Sequence, residues 1–275
     1  MDAKIKNKIK KVKELCKNIR TDILRMSYKA KTAHLASSLS CVEIIATIFD
    51  QFLNIKKNYI NNENRNRFIL SKGHAASTLY SVLYRKKILS KNKLNSFCKT
   101  GSLLEEHPSP KIKGIECATG SLGHGMSIGC GMALGYKIKN NNSKVYVVIS
   151  DGECNEGCVW ESALFASAKK LSNLTVIIDY NKWQATERSE KVLSIYPLDK
   201  KFFHFGWEVI VLDGHNIKSL INALRKKTKN NKPKLILAHT IKGKGVKFME
   251  DDNNWHYKSP NQHELNKAIV GINSI

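Results

Sequence analysis

The stretch Val145–Lys182, VYVVISDGECNEGCVWESALFASAKKLSNLTVIIDYNK, contains two short apolar runs with a helical pattern between them. Val145–Ile149 and Leu174–Ile178 are continuous and rich in β-branched residues, the pattern of strands buried on both faces. Glu156–Lys170 between them reads as a helix, and a strand–helix–strand unit of this length places the two strands side by side and parallel. Asp151 directly follows the first strand and Asn181 follows the second, 30 residues later, so two oxygen-bearing side chains arrive together at one end of the sheet.

Working outward, the same alternation recurs. Arg67–Ser71, Trp207–Leu212 and Leu235–Ala238 read as strands, and His74–Lys87 and Ile217–Lys227 as helices. Ile5, Ile9, Val12, Cys16, Ile19, Ile23 and Met26 recur at helical spacing beside a lysine-rich face, predicting a long amphipathic N-terminal helix. Asn54–Asn66 is a polar connection, and Glu105–Ile115, with His107, Pro108 and Pro110, is a loop. The expected fold is α/β, a parallel sheet flanked by helices, built as a single domain over residues 1–275. In such sheets ligands bind beyond the carboxyl ends of the strands, which directs attention to Ser71–His74, Ser150–Gly157 and Asp179–Trp183.

Composition excludes several classes. No apolar run reaches the ~20 residues of a membrane helix, and Met1–Lys13 lacks the apolar core of a signal peptide, so a cytoplasmic location is expected. Seven scattered cysteines fit a reducing compartment. Cys154 and Cys158 have no second Cys/His pair at zinc-finger distance, so a zinc site is not expected. The net charge of +23 is spread over Lys/Asn-rich segments without interleaved aromatics, the pattern of a solvated surface and not of a nucleic-acid partner.

A carboxylate and an amide oxygen, with water and phosphate oxygens completing the shell, suit Mg2+ or Ca2+ better than zinc. Gly152 lets backbone approach an anion closely, and the helix beginning near Glu156 directs free N–H groups to the same place. Alone, Asp-Gly and a strand-terminal Asn are also ordinary turn residues.

The surrounding residues decide between these readings. Ser150–Gly157 followed by Asp179–Lys182 resembles the thiamine diphosphate signature, and Val159-Trp160-Glu161-Ser162-Ala163 resembles the transketolase branch of that superfamily. Five further segments agree in order: Lys31–His34, Ser71–His74, Glu106–Pro108, Ala118–Gly125, and Lys242–Gly245 leading to Trp255-His256. The resemblance covers nearly the whole chain and implies the diphosphate-binding domain of transketolase, similar above all to forms made as two separate subunits, with residue 275 falling where such an N-terminal subunit would stop.

The resemblance implies specific roles. Asp151, Asn181 and the carbonyl of Trp183 would bind the metal. His74, Gly120, Ser121, Leu122, Gly152, Glu153 and Asn181 would contact thiamine diphosphate, and His34, His107 and His256 would line the substrate channel as the catalytic residues. Imidazoles suit that task because a ketose must lose a hydroxyl proton near neutral pH. His204, His215, His239 and His263 are read as structural. Gly129, Gly131 and Gly135 are read as sites of close helix packing, and Gly120–Gly125 as a loop around the cofactor.

Three positions depart from the usual pattern: Ser150 for glycine, Tyr180 for asparagine or aspartate, and His124 for glutamine. In this family the glutamate that activates the cofactor comes from a second, pyrimidine-binding domain. The resemblance therefore implies a C-terminal partner subunit, a hetero-oligomer of two plus two, and transfer of a two-carbon ketol unit between sugar phosphates, as in pentose phosphate interconversion. A deoxyxylulose phosphate synthase-like enzyme, or a basic binding protein that has kept only the fold, are the alternatives; His34, His107 and His256 favour transketolase.

Overall fold

The computed structural model describes residues 3–53, 55 and 59–274. The chain begins with α1 (Ala3–Ala30), α2 (Leu35–Ser40) and α3 (Val42–Gln51), then β1 (Arg67–Leu70), α4 (Ala76–Arg85), α5 (Lys91–Leu94) and α6 (His124–Ile138). The central unit is β2 (Val145–Ser150), α7 (Gly157–Ala168) and β3 (Leu174–Tyr180). It continues through α8 (Ser189–Val192), α9 (Leu198–His204), β4 (Glu208–Asp213), α10 (Ile217–Arg225), β5 (Lys234–His239) and α11 (Gln262–Asn273). Part of the expected Asn54–Asn66 connection, residues 54 and 56–58, lies outside the described residues.

The five strands form one sheet in the order β1-β2-β3-β5-β4, every neighbouring pair parallel. β2 and β3 are neighbours joined through α7, as their spacing requires, and the register sets Ser150 opposite Asp179 and Tyr180 opposite His239. Asp151 and Asn181 therefore leave the sheet from adjacent strand ends.

Two apolar cores sandwich the sheet. On one face α1, α3, α4, α10 and α11 pack over Phe68, Tyr146, Val148, Ile177 and Ile236; on the other, α6, α7 and α9 pack over Val145, Val147, Ile149, Val176 and Ile178. These strand side chains are at most 3% exposed, and each large aliphatic among them contributes about 1.5–3 kcal/mol relative to exposure. The periodic face of α1 is the expected one: Val12, Cys16, Ile19, Ile23 and Met26 are all buried. α11 starts with a capping box, Asn261 accepting from the N–H of Glu264 while the Glu264 carboxylate accepts from the N–H of Asn261.

The glycine expectations divide. A Cβ on Gly129 would lie 2.5 Å from Val147 Cγ2, so this glycine does allow α6 to approach β2. Gly131 and Gly135 face open space, so close packing does not explain them. Gly125, expected to belong to the cofactor loop, lies in the first turn of α6, where its Cβ would fall 2.6 Å from Ser71 Cβ. It brings that helix against the end of β1.

Candidate active site

Beyond the carboxyl ends of the strands lies a cavity of about 320 Å3, within the range of small-molecule sites. Its walls are His34, Ser37, His74, His107, Gly120, Leu122, Ser150, Gly152, Asn181, Trp183, Gln184, Ala185, His256 and Tyr257. Residues expected from widely separated segments thus converge. A hollow of about 590 Å3 between α1, α4 and α5 is larger, but its buried carboxylate, Asp22, is already satisfied by Arg85 and Ser81.

The floor is built on the ends of β2 and β3. Asp151 is fully buried; its Oδ2 accepts from the Ser189 hydroxyl at 2.7 Å, whereas Oδ1 has no hydrogen-bond partner among the described residues. Burial is the main reason its carboxyl is pushed up to about 7, with the nearby Asp179 charge adding to it. A buried carboxylate oxygen without a donor is unfavourable in water-free surroundings. A hard divalent cation would satisfy it, and the amide oxygen of Asn181 and the carbonyl of Trp183 are donors of matching type. Asn181 Oδ1 accepts from the Trp183 N–H at 3.0 Å, fixing the turn on which both residues sit. Gly152 adjoins Asp151 at the cavity wall; a Cβ there would meet Gln184 Cγ at 3.3 Å.

Four imidazoles form the upper wall. The His34 ring lies 4.9 Å from His256, 5.4 Å from His74 and 6.3 Å from His107, centre to centre. His34 is the residue before α2 and adopts a left-handed backbone, φ 64°, while its N–H donates to the carbonyl of His256 at 2.6 Å. Such a conformation is costly for a non-glycine residue and is commonly found at functional sites. The loop bearing His107 is tied down by the Tyr80 hydroxyl, which donates to the His107 carbonyl at 3.0 Å. Burial, reinforced by neighbouring cations, holds His74 well below the usual histidine range and takes His256 down to about 3. His34 is also lowered by burial, although Glu106 opposes the shift. These three rings are neutral at pH 7, each with one donor and one acceptor nitrogen.

Beneath the cavity sits an ion pair that sequence reasoning did not single out. Lys72 and Asp179 are fully buried and in direct contact, and Asp179 also accepts from Ser40, Thr240 and the Asn181 amide. Burial opposes both charges, but their mutual attraction prevails, so the lysine is raised and the carboxyl lowered. The pair joins the ends of β1, β3 and β5 to α2. Lys242 was also missed: it donates to Gln184 O at 3.3 Å and to Asn253 Oδ1 at 2.5 Å, and lies 2.9 Å from His256 Nδ1. Burial, with Lys72 adding repulsion, takes it down to about 7. One available signal was Asp179 itself, a carboxylate interrupting the apolar run of β3.

Other expected residues sit differently. Glu153, expected to touch the cofactor, is fully buried and absent from the cavity wall. Its carboxylate accepts from Ser71 Oγ (2.6 Å), Gly123 N–H (2.9 Å) and Ser150 N–H (2.8 Å). It therefore binds three loops to one another. Ser121 is exposed and does not line the cavity, while Gly120 and Leu122 on either side do. Cys154 and Cys158 bond separately to the carbonyls of Ser150 and Leu122, and no metal-binding group of three or more His, Cys, Asp or Glu occurs among the described residues.

Comparison with known proteins now joins this geometry. The family described as transketolase, thiamine diphosphate binding domain, matches residues 11–272. The chain belongs to this family. It is an N-terminal, thiamine diphosphate-binding transketolase subunit, 35% identical over 251 residues to an apulose-4-phosphate transketolase subunit of Phocaeicola vulgatus, covering 91% of this chain and 89% of that one. It is 36% identical to human transketolase over 268 residues, which is 97% of this chain but 43% of the human enzyme. The solved Campylobacter jejuni transketolase superposes with a TM-score of 0.88 at 27% identity over 99% of this chain and 43% of that structure. The chain thus spans less than half of the long transketolases and nearly all of the split one. No helix among the described residues is long and apolar enough to cross a membrane.

Proposed function

We propose that this chain binds Mg2+ and thiamine diphosphate and, with a pyrimidine-binding partner subunit, transfers a two-carbon ketol unit from a ketose phosphate to an aldose. The observation that carries the reading is the unpartnered Asp151 Oδ1, buried beside Asn181 and Trp183 on the floor of a cavity walled by four histidines. Asp151, Asn181 and the Trp183 carbonyl would hold the metal. Gly152, His74, Gly120, Leu122 and the Lys242 ammonium would receive the diphosphate end of the cofactor. Bound thiamine diphosphate supplies a nucleophilic carbon that adds to a carbonyl and stores the charge released when the adjacent C–C bond breaks. His34 and His256, neutral at pH 7, and His107 line the path to that point; they orient sugar hydroxyls and accept the hydroxyl proton lost on cleavage. Lys72 and Asp179 keep the strand ends in register beneath them.

The partner is proposed from relatives whose names include "subunit", among them the 6-deoxy-6-sulfo-D-fructose transketolase subunit SqwG of a Clostridium species, 36% identical over 224 residues. A closed assembly of two of each subunit is the simplest arrangement with the cofactor between unlike chains. The positive surface would attract a phosphorylated sugar at low salt. All seven cysteines are free thiols, which suits the cytoplasm.

The test is calorimetric titration of thiamine diphosphate into the chain, with and without partner, in Mg2+ and in EDTA, repeated with Asp151→Ala. Binding that needs both metal and Asp151, is strengthened by the partner and is accompanied by ketol transfer supports the reading. No cofactor binding even with the partner present would overturn it.

A further inference from the structure

The His34 ring has a neighbour that the proposed chemistry has not yet used. Its Nδ1 lies 3.0 Å from Glu106 Oε1, a contact across 72 residues of sequence, while Nε2 has no hydrogen-bond partner among the described residues. A carboxylate can only accept, so a neutral His34 in this contact carries its proton on Nδ1. Nε2 is then left as a bare acceptor on the ring that lines the cavity. The backbone is fixed by the His34 N–H bond to His256 and by the left-handed φ, but neither constraint sets the ring's rotation or its tautomer. Only Glu106 does so. Glu106 is itself placed by the loop ending in His107, which Tyr80 anchors.

We propose that Glu106 is a positioning residue for the ketol-transfer reaction: its carboxylate holds His34 in the Nδ1–H tautomer, so that Nε2 serves as the proton acceptor facing the substrate. This rests on the functional reading above. The other groups around His34 cannot replace Glu106. His74, His107, His256 and Tyr257 present ring edges or faces at centroid distances of 4.9–6.4 Å, and Lys242 is a donor whose charge disfavours protonation of the ring. Without Glu106, either ring nitrogen could carry the proton. A fraction of molecules would then present an N–H where an acceptor is required.

The test uses two independent readouts on the full chain assembled with its partner. The first is the 15N chemical shift pair of the His34 ring in histidine-labelled protein, assigned with His34→Gln. The Nδ1–H tautomer is expected in the wild type, a mixture in Glu106→Ala, and retention of Nδ1–H in Glu106→Gln, whose amide oxygen still accepts. The second is ketol transfer. Glu106→Ala should lower kcat about 10- to 100-fold, the range for partners that orient a working histidine, with little change in cofactor affinity and substantial recovery in Glu106→Gln. In the Gln variant the loss of negative charge should move the acid limb of the pH profile to lower pH, which a purely structural role would not do. An Nε2–H tautomer in the wild type, or the same tautomer in wild type and Glu106→Ala, overturns the inference whatever the activity. Fixed Nδ1–H together with no ketol transfer by the wild-type assembly would overturn the functional reading instead.

Discussion

Replacing Asp151 with asparagine should stabilise the metal-free chain while destroying metal-dependent cofactor binding. Burial raises the Asp151 carboxyl from its ordinary 3.8 to about 7. A group raised on folding favours the folded state fully below its unfolded value, and that advantage is lost as pH climbs through the folded one. The ionised carboxylate is therefore a cost that grows between pH 3.8 and about 7. At about 1.4 kcal/mol per pH unit, the full penalty at pH 8 is about 4 kcal/mol. Asparagine keeps the shape and can still accept from Ser189 but carries no charge. Urea denaturation in EDTA should find Asp151→Asn more stable than wild type by about 2–4 kcal/mol at pH 8, the gap shrinking by more than half at pH 5. Adding Mg2+ and thiamine diphosphate at about a hundredfold excess over Kd should then raise the wild type by about 2.7 kcal/mol and leave the variant unchanged. A variant less stable than wild type at pH 8 without metal would refute the reasoning, because Asp151 would then be stabilised by the protein itself.

Cofactor binding should exchange protons with opposite sign on the two sides of neutrality. Below pH 7 the metal displaces a proton from Asp151, whereas above pH 7 the diphosphate draws one onto Lys242, whose free value is also about 7. Calorimetry in buffers of different ionisation heat should show net release at pH 6 and net uptake at pH 8, and Lys242→Met should abolish the uptake. Glu153→Ala leaves the Ser71 hydroxyl and the Gly123 and Ser150 N–H groups without their acceptor; chemical denaturation should register a loss of about 3 kcal/mol or more. In Gly125→Ala the new methyl would meet Ser71 Cα at 2.7 Å and Cβ at 2.6 Å, so α6 must shift, lowering stability by about 1–3 kcal/mol in the same assay.

Periodicity alone determined the layers of this protein. The apolar runs at Val145 and Leu174 are strands because β-branched residues buried on both faces leave few other options, and a 30-residue gap holding one helix makes them parallel neighbours. Asp151, Asn181, His34, His74, His107 and His256 were legible because each sits in a short motif at a strand end or loop whose chemistry is local. What these motifs could not reveal was which side chains the fold would bury and pair. Glu153 stands among residues of the metal signature, yet its carboxylate points into a knot of three loops. Lys72 and Asp179, 107 positions apart, neutralise each other, and Glu106 finds His34 across 72 positions. The titration of Asp151 and Lys242 near neutrality belongs to neither residue type but to removal from water and to the charges nearby. Pairing and desolvation depend on separations in space, and the tertiary structure alone sets them.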